Sequence, residues 1–310
     1  MTGAAGFIGS EVTRRLLAAD RRVIAYDNFC RGLRGHLPDD PQVSVVEGDI
    51  RDRRRLDEAI GTAKPDCVVH LAAMHFIPDC EARPAEALEV NVEGTRHVFE
   101  SCRGRAVRNV VFASTAAVYA PEDRPHVEET SPLGPLEIYG ESKVRAEQLA
   151  QAFFDDTGIT TSVLRLFNAV GIRETNPHVI PHIFESLKRS LDGSLDKSGV
   201  VRLGNVQPRR DYVDVRDIAD AVLAVLARSR GHQVFNVGTG TAHSIADVVN
   251  HLRVLLDRPV TVVVDAERVR TTDRMLLVAD VAKIRGAVGW TPRITLEESL
   301  EELVRHYGLL

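Results

Sequence analysis

The chain has 310 residues, of which 44% are hydrophobic and 5% aromatic, and it carries a formal net charge of −5 with a sequence pI of about 6.1. This composition is typical of a globular protein with one or two lobes and excludes a disordered chain. The mild acidity gives no reason to expect nucleic acid as a partner, and no stretch approaches the ~20 apolar residues that span a bilayer. We therefore expect a cytoplasmic protein that binds neither nucleic acid nor membrane.

Cysteine and histidine positions do not indicate a metal site. The start of the chain lacks the basic and apolar regions of a signal peptide, so we expect reduced thiols at Cys30, Cys67, Cys80 and Cys102, whose spacing matches no zinc pattern. His178 and His182 are four residues apart, as ligands on a helix can be, but Pro181 lies between them and no third ligand is evident. We predict no metal.

Short runs rich in β-branched residues alternate with amphipathic segments through the first half of the chain, and predict strands over residues 22–26, 43–47, 67–71, 109–114 and 161–167. Strands this apolar, separated by helices, indicate a parallel sheet covered on both faces, which is the Rossmann-like doubly wound arrangement of an α/β protein.

The second half of the chain has a different pattern. After residue 168 come loop-rich segments punctuated by Pro and Gly, with one return to the earlier pattern in a helix around 218–226 and a strand over 233–237. We predict a first domain of residues 1–167 plus about 212–238. A smaller α/β lobe, which would bind the substrate, is predicted over residues 168–211 and 239–310.

A glycine-rich turn opens the chain. Gly3, Gly6 and Gly9 would allow a tight turn, close approach of the backbone to a pyrophosphate, and close packing of the following helix. The pattern alone is weak, but Asp27 ends the next strand 18 residues after Gly9, where a carboxylate can accept hydrogen bonds from an adenosine ribose. We predict NAD as the cofactor. Arg31 could offset the charge of a 2′-phosphate, so NADP stays an alternative.

Asp49 and Ile50 follow the strand predicted over residues 43–47. One interpretation places them beside the adenine of the dinucleotide. The other makes Asp49 the cap of the helix that begins near Asp52, because an Asp side chain can accept a hydrogen bond from a backbone N–H in the first turn. The sequence leaves both interpretations open.

Only Met1 and Thr2 precede the glycine-rich turn, although a turn of this kind normally follows a buried strand in the middle of the sheet. Without that strand, backbone groups on its neighbours would lack partners. We therefore expect the natural chain to start further upstream, which an intact mass larger than that of this sequence would support.

Tyr139 and Lys143 lie four residues apart, and therefore on one face of a helix. A phenol has a pKa of ~10, and a neighbouring ammonium can lower it enough for the phenol to act as a base. The pair alone is weak evidence because both residues are common. Ser114 and Thr115 end an apolar run upstream, and together with the glycine-rich turn these residues predict a site for hydride transfer.

With these residues in place, the chain resembles the extended short-chain dehydrogenase/reductase family, and within it the nucleotide-sugar epimerases of the UDP-glucose 4-epimerase kind. The resemblance covers nearly the whole chain. The motifs that carry it are residues 2–9, Asp27-Asn28, residues 48–50, 70–73 and 91–95, Ser114-Thr115, Val118-Tyr119, residues 139–143 and residues 165–168. Two positions depart from the family pattern. Ala120 stands where Gly is usual, and Glu137-Ile138 replaces the commoner Ser-Pro.

The resemblance implies a role for each motif position. The expected catalytic residues are Thr115, Tyr139 and Lys143. The expected NAD-binding residues are Gly3, Gly6, Phe7, Ile8, Gly9, Asp27, Asn28, Asp49, Ile50, Leu71, Ala72, Ala73, Asn91, Ser114, Tyr139, Lys143 and Phe167. The expected nucleotide-sugar-binding residues are Thr115, Asn168, Arg210, Tyr212, Arg270 and Asp273. His75, in a stretch near the nicotinamide, is interpreted as structural.

The implied reaction is epimerisation at C4 of a nucleotide sugar through a transient 4-keto intermediate. Related 4,6-dehydratases carry Asp-Glu next to the catalytic Thr, and decarboxylating enzymes typically carry Glu there, whereas this chain has Ala116 and Ala117. Epimerisation needs no additional acid, so the alanines favour it. Dehydration through another acid, and a noncatalytic dinucleotide sensor, remain as alternatives.

The sequence does not identify the sugar. UDP-glucose and UDP-galactose are the default, but Leu277, roughly at the position that limits the C2 substituent in similar epimerases, is intermediate in size and does not exclude an N-acetyl group. A UDP-glucuronate substrate would need an additional cation or hydroxyl cluster. A homodimer formed through two helices of the first lobe is expected from the resemblance alone.

Overall fold

The computed structural model describes residues 1–191, 200–257, 260–265 and 274–310, so the predicted substrate residues Arg270 and Asp273 lie outside the described residues. The α-helices are α1 Phe7–Ala18, α2 Arg53–Ala63, α3 Ile77–Ala82, α4 Pro84–Leu88, α5 Thr95–Cys102, α6 Ile138–Thr157, α7 Val179–Leu191, α8 Val215–Arg228, α9 Ile245–Leu256, α10 Ala282–Val288 and α11 Leu296–His306. Shorter turns are the 3₁₀ helices Arg34–His36 and Ala116–Val118 and the π-helix Glu89–Gly94.

The strands are β1 Val23–Asp27, β2 Val43–Glu47, β3 Cys67–His70, β4 Asn109–Thr115, β5 Thr160–Leu166, β6 Asn168–Val170, β7 Val200–Leu203, β8 Arg209–Asp214, β9 His232–Val237, β10 Ala242–Ser244, β11 Thr261–Val264 and β12 Leu276–Leu277. Each strand predicted for the first domain is found within one residue of its expected bounds. β1 pairs with β2, and β3, β4, β5 and β9 follow one another, with every pair parallel. The predicted doubly wound α/β fold is confirmed.

Residues 1–3 join these two groups of strands. Thr2 forms parallel bridges to Tyr26 on β1 and to His70 on β3. The Thr2 N–H donates to the Val69 carbonyl at 3.0 Å, and the Tyr26 N–H donates to the Met1 carbonyl at 2.8 Å. This short segment therefore satisfies backbone groups on both sides, while the longer natural chain expected from the sequence stays a prediction.

Helices cover both faces of the sheet. On one face, Val12 of α1 and Ile218 of α8 pack with Val111, Leu164 and other buried strand residues. On the other face, α2, α5 and α6 supply a second cluster of apolar side chains, including Ile60, Phe99 and Phe153. Burying apolar side chains on both faces stabilises a parallel sheet, and it leaves the ends of the strands open for a site.

A smaller lobe lies beside the sheet. β8 pairs with β6, β10 and β12, and β7 pairs with β11. Helices α7, α9 and α11 pack on this lobe with a core of their own, which includes Phe184, Leu252 and Leu300. The predicted domain boundaries stay a prediction. Residues 277–290, which the prediction assigns to the second lobe, contribute Leu277, Ile284 and other side chains to the core of the first lobe.

In the part of the chain that the structure describes, no helix is long and apolar enough to cross a membrane. The four cysteines are free thiols: Cys30 is exposed, Cys67 is half-buried, and Cys80 and Cys102 are buried. Burial raises the pKa of the Cys80 thiol to about 11 and that of Cys102 to about 12, so both are neutral near pH 7.

Candidate functional site

A cleft with a cavity volume of ≈ 1150 Å³ runs between the two lobes, past the carboxyl ends of the strands. Ligands of open parallel sheets bind at this edge. The predicted site residues that line the cleft are Gly3, Gly6, Phe7, Ile8, Gly9, Asp27, Asn28, Asp49, Ile50, Leu71, Ala72, Ala73, Ser114, Thr115, Tyr139, Lys143, Phe167, Asn168, Arg210 and Tyr212. One cleft thus collects most of the residues that the sequence singled out from distant stretches.

The glycine-rich turn leaves no room for side chains. A Cβ on Gly9 would lie 2.1 Å from the carbonyl oxygen of Gly3, and a Cβ on Gly3, whose φ is +67°, would lie 2.6 Å from the nitrogen of Ala72. Gly6 is the N-cap of α1 and has no side chain to occupy the free N–H groups of the first turn. The helix N-terminus therefore offers backbone donors and a positive dipole end to an anion, as a dinucleotide pyrophosphate requires.

Asp27 at the end of β1 is held in place by the turns around it. Its two carboxylate oxygens accept hydrogen bonds from the backbone N–H of Ala5 at 2.8 Å and of Phe29 at 2.9 Å. The side chain is buried beside the glycine-rich turn. Arg31, the residue that left NADP open, forms an ion pair with Asp79. The Asp27 carboxylate is thus fixed at the position predicted to bind the adenosine ribose. Arg31, which could have offset the charge of a 2′-phosphate, is already paired with Asp79.

Asp49 does not cap a helix, so that interpretation is wrong. The N-cap of α2 is Asp52, whose side chain accepts from the Arg55 N–H. Asp49 instead accepts from the Arg51 backbone N–H at 2.8 Å and guanidinium at 2.8 Å, and from Asn28 Nδ2 at 3.0 Å. Burial alone would raise the pKa of Asp49, but these hydrogen bonds outweigh it and lower the pKa to about 2. A fixed negative charge results beside Ile50, on the wall of the cleft.

Asn91 lies in the π-helix, below the cleft. Its amide is fully buried, accepts from the Met74 N–H at 2.8 Å, and donates to the Met74 carbonyl at 2.8 Å and to Ser142 Oγ at 2.9 Å. π-helical turns are rare and frequently mark functional sites. Asn91 thereby ties the loop after β3 to α6, and it does not itself line the cleft.

Thr115, Tyr139 and Lys143 come together where β4 ends and α6 begins. Burial raises the pKa of the Tyr139 phenol above its usual value, and the neighbouring Thr115 hydroxyl offsets this only in part. Lys143 is buried one helical turn further on, and its Nζ donates to the Ala113 carbonyl at 2.8 Å. Burial lowers the pKa of Lys143 to about 7. The spacing of Tyr and Lys therefore produces the shared face that the sequence predicts.

Ser114 has a structural partner. Its hydroxyl donates to Glu147 Oε1 at 2.5 Å, and Glu147 in turn pairs with Arg165 at 2.7 Å, with both charged side chains less than a tenth exposed. Arg165 also donates to the Tyr119 hydroxyl at 3.0 Å. This buried network fixes the strand that ends at Thr115.

At the opposite end of the cleft, β6 and β8 bring Asn168 and Tyr212 into register as paired residues. Arg210 lies on the same strand as Tyr212, and its Nη1 donates to the carbonyl oxygen of Arg274 at 2.6 Å. Three of the expected substrate residues therefore lie on two adjacent strands. Arg270 and Asp273 precede Arg274 in a segment outside the described residues.

Arg274 is a cleft residue that the sequence analysis missed. Its guanidinium pairs with Glu137 at 3.1 Å and is buried, with 6% of the side chain exposed. In the sequence, Glu137 stands out only as a departure from the family pattern. No local spacing signal links the two residues, because 137 positions separate them.

His75, Glu174 and His178 form another polar group in the cleft, in which the candidate ligand atoms lie within 4.8 Å of one another. Asn176 occupies the middle of this group: its amide nitrogen lies 3.0 Å from Glu174 and 3.2 Å from His75 Nε2. His182, which the sequence paired with His178, bonds the Arg202 carbonyl instead. Asn176 thus links His75 to Glu174, and the interpretation of His75 as structural stays a prediction.

Comparison with known proteins agrees with this geometry. A model of the NAD dependent epimerase/dehydratase family matches residues 1–238. The chain is 32% identical over 311 residues to a UDP-glucose 4-epimerase of Rhizobium leguminosarum bv. trifolii, covering 96% of this chain and 93% of the relative.

Two solved structures are similar over 99% of this chain and 97% of their own. They are the Thermus thermophilus UDP-glucose 4-epimerase in complex with NAD, at a TM-score of 0.87 and 30% identity, and the Thermotoga maritima UDP-glucose 4-epimerase with UDP-glucose, at 0.88 and 26%. The resemblance inferred from the motifs is confirmed: the chain belongs to the NAD-dependent epimerase/dehydratase family.

Proposed function

We propose that this protein is an NAD-dependent epimerase that inverts C4 of a nucleotide-diphosphate sugar of the UDP-glucose/UDP-galactose type through a transient 4-keto sugar. The observation that carries the proposal is that Thr115, Tyr139 and Lys143 line the same cleft as the glycine-rich turn. A phenol and a hydroxyl that lie side by side can hydrogen-bond a sugar hydroxyl, and the phenol can accept and return its proton.

The first lobe fits NAD. The free N–H groups of α1 and the close backbone approach at Gly6 suit a pyrophosphate, and Asp27 suits a ribose without a 2′-phosphate. NAD held by these residues would supply the acceptor for the C4 hydride and, once reduced, the donor that returns the hydride to the opposite face of the sugar.

Tyr139 would take the proton from the 4-hydroxyl and return it after the ketone has turned over. Burial raises the pKa of Tyr139 in the protein alone, so the phenol holds its proton until a positive charge is placed beside it. Lys143 lies in the next turn of α6 and contributes that charge when it is protonated. Thr115 would hold the reacting oxygen by a hydrogen bond.

The residues after Thr115 favour epimerisation over elimination. Ala116 and Ala117 form a buried 3₁₀ turn, and the Ala117 N–H donates to Thr115 Oγ1 at 3.2 Å. Neither side chain can protonate a leaving 6-hydroxyl or the sugar carbon that remains after loss of CO₂. Reversible transfer of one hydride and one proton requires no additional acid.

The second lobe would hold the nucleoside diphosphate. Arg210 lines the cleft on β8, and a guanidinium is suited to bidentate contact with phosphate oxygens. Asn168 and Tyr212 lie beside it on paired strands. The names of the relatives, UDP-glucose 4-epimerases, support UDP as the nucleotide, and we propose Arg270 and Asp273 as additional ligands.

We also infer that the protein works in the cytoplasm as a homodimer formed through two helices of the first lobe. The expectation rests on the family resemblance. Sedimentation velocity should give a mass near twice the 34.1 kDa of the chain. A sedimenting species with the mass of a single chain would contradict the dimer.

The test of the proposed function is NMR of the products after incubation with NAD and, separately, UDP-glucose, UDP-N-acetylglucosamine, UDP-glucuronate and dTDP-glucose. Inversion at C4 is expected for UDP-glucose. Tyr139→Phe should abolish it while leaving NAD bound, and Tyr307→Phe, at the C-terminal end of α11, should not change it. A 4-keto-6-deoxy product would identify a dehydratase, and NAD binding without turnover of any sugar would favour a sensor.

A further inference from the structure

We propose that Arg274 is a positioning residue, which holds the two chain segments bearing Thr115 and Tyr139 in the relative position that catalysis requires. This inference rests on the proposed roles of those two residues. Thr115 ends β4, and Tyr139 lies in the first turn of α6, so no continuous element fixes one relative to the other. Arg274 belongs to neither element, and it contacts both the N-cap residue of α6 and the turn that follows β4.

On the side of α6, Arg274 binds Glu137. Nη1 donates to both carboxylate oxygens, at 3.2 and 3.1 Å, and the two side chains are 6% and 16% exposed. Glu137 is the N-cap residue of α6, two positions before Tyr139. An ion pair that is largely shielded from water and hydrogen-bonded in this way has a defined geometry.

On the side of β4, Nη2 of Arg274 donates to the carbonyl oxygens of Ala117 at 3.1 Å and Tyr119 at 3.3 Å. Both belong to the turn that follows Thr115. The Ala117 carbonyl is also where α6 packs, since a Cβ on Gly140 would lie 2.5 Å from it. One guanidinium therefore links the turn after Thr115 to the start of α6 across their contact.

The contact also reaches the substrate lobe. The carbonyl oxygen of Arg274 accepts from Arg210 Nη1 at 2.6 Å, and the following residues Leu276–Leu277 pair with β8. The backbone of Arg274 is thus anchored to the strand that would hold the nucleoside diphosphate, while its side chain lies against the catalytic segments. This arrangement connects the substrate lobe to the position of Tyr139.

The test measures epimerase kinetics of Arg274→Met, Arg274→Lys and the double variant Arg274→Met/Glu137→Met in the full chain with NAD. We expect Arg274→Met to lower kcat at least tenfold while KM for the sugar and Kd for NAD change less than threefold. Arg274→Lys should recover at least part of kcat. The double variant removes the unpaired carboxylate, so it should melt at a higher temperature than Arg274→Met but keep the low kcat.

Arg228→Met is the matched control, because Arg228 also donates to a carbonyl oxygen, that of Val288, but far from the catalytic segments. It should leave kcat unchanged. The primary isotope effect on kcat with C4-deuterated sugar should be at least as large in Arg274→Met as in the wild type, since the slow step is then C–H cleavage. A kcat of Arg274→Met within twofold of wild type, or a smaller isotope effect, would overturn the inference.

Failure of the inference and failure of the proposed function give different results. If the wild-type protein epimerises no nucleotide sugar, the proposed function is wrong. If the wild type is active and Tyr139→Phe is inactive, but Arg274→Met and the double variant retain wild-type kcat, only the positioning role is wrong.

Discussion

Lys143 and Ala113 are joined by a hydrogen bond of 2.8 Å from the ammonium nitrogen to a backbone carbonyl oxygen, inside the protein. The lysine is 2% exposed, and its Nζ also lies 4.7 Å from the centre of the Phe112 ring. The bond directs the ammonium group toward β4. The Lys143 ammonium is buried, where a charge is costly, and burial therefore lowers its pKa from 10.5 to about 7.

This pKa predicts a pH-dependent stability. Between pH 7 and 10.5 the unfolded chain binds the proton of Lys143 more strongly than the folded protein does, so stability rises with pH over that window. Lys143→Met lacks this dependence. The stability of the variant relative to wild type should therefore fall by about 1.4 kcal/mol per pH unit between pH 7.5 and 9. Urea unfolding at several pH values measures it, and parallel curves for the two proteins would contradict it.

Two glycines of the opening turn should respond differently to alanine. A Cβ on Gly9 would overlap the Gly3 carbonyl, so Gly9→Ala should destabilise the fold by about 1–3 kcal/mol or prevent folding. A Cβ on Gly6 meets that carbonyl only at 3.4 Å, so Gly6→Ala should fold normally but bind NAD at least tenfold more weakly. Thermal melts and NAD titrations measure both effects. Gly35→Ala, in open space, is the control. Normal NAD affinity in Gly6→Ala would argue against this pyrophosphate site.

Asp27 should govern both local stability and cofactor choice. Asp27→Asn directs an amide N–H₂ group at a backbone N–H of Ala5 or Phe29, which should cost about 1–3 kcal/mol. The loss of negative charge should also lower the ratio of Kd for NADP to Kd for NAD at least tenfold. Titration with both cofactors tests this, with the exposed Asp39→Asn as the control. An unchanged ratio would mean that Asp27 does not face the ribose.

The buried pair of Glu147 and Arg165 should show strong coupling. Glu147→Leu leaves Arg165 buried without its carboxylate and should cost about 3–5 kcal/mol, whereas Glu147→Leu/Arg165→Met should recover most of that loss. A double-mutant cycle in urea measures the coupling. The exposed pair of Glu301 and Arg305 is the comparison, where Glu301→Gln should cost less than about 0.5 kcal/mol. If the free-energy changes of the two single substitutions simply add up in the double variant, the two charges do not interact and the prediction is wrong.

The parallel sheet could be predicted because apolar strand runs and helical periodicity are local properties. Each predicted strand of the first domain lies within one residue of its observed bounds. The glycine-rich turn, Asp27, and the Tyr139–Lys143 pair could also be predicted, because helix and turn geometry follows from spacing of a few residues. The helix cap was predicted less well: Asp49 and Asp52 are both suitable, and only the turn geometry assigns the cap to Asp52.

The sequence by itself therefore determined the fold class, the cleft edge and most of the residues that face it, since these depend on local periodicity and on the rule that parallel strands end together. Only the tertiary structure decided the contacts of Glu137 with Arg274 and of Glu147 with Arg165, and the hydrogen bond of Lys143 with Ala113. These contacts depend on how helices, turns and the second lobe pack. The partners are far apart in the sequence, so no local spacing predicts the distance between them. Burial then lowers the pKa of Lys143, because the cost of a charge depends on the water it has lost.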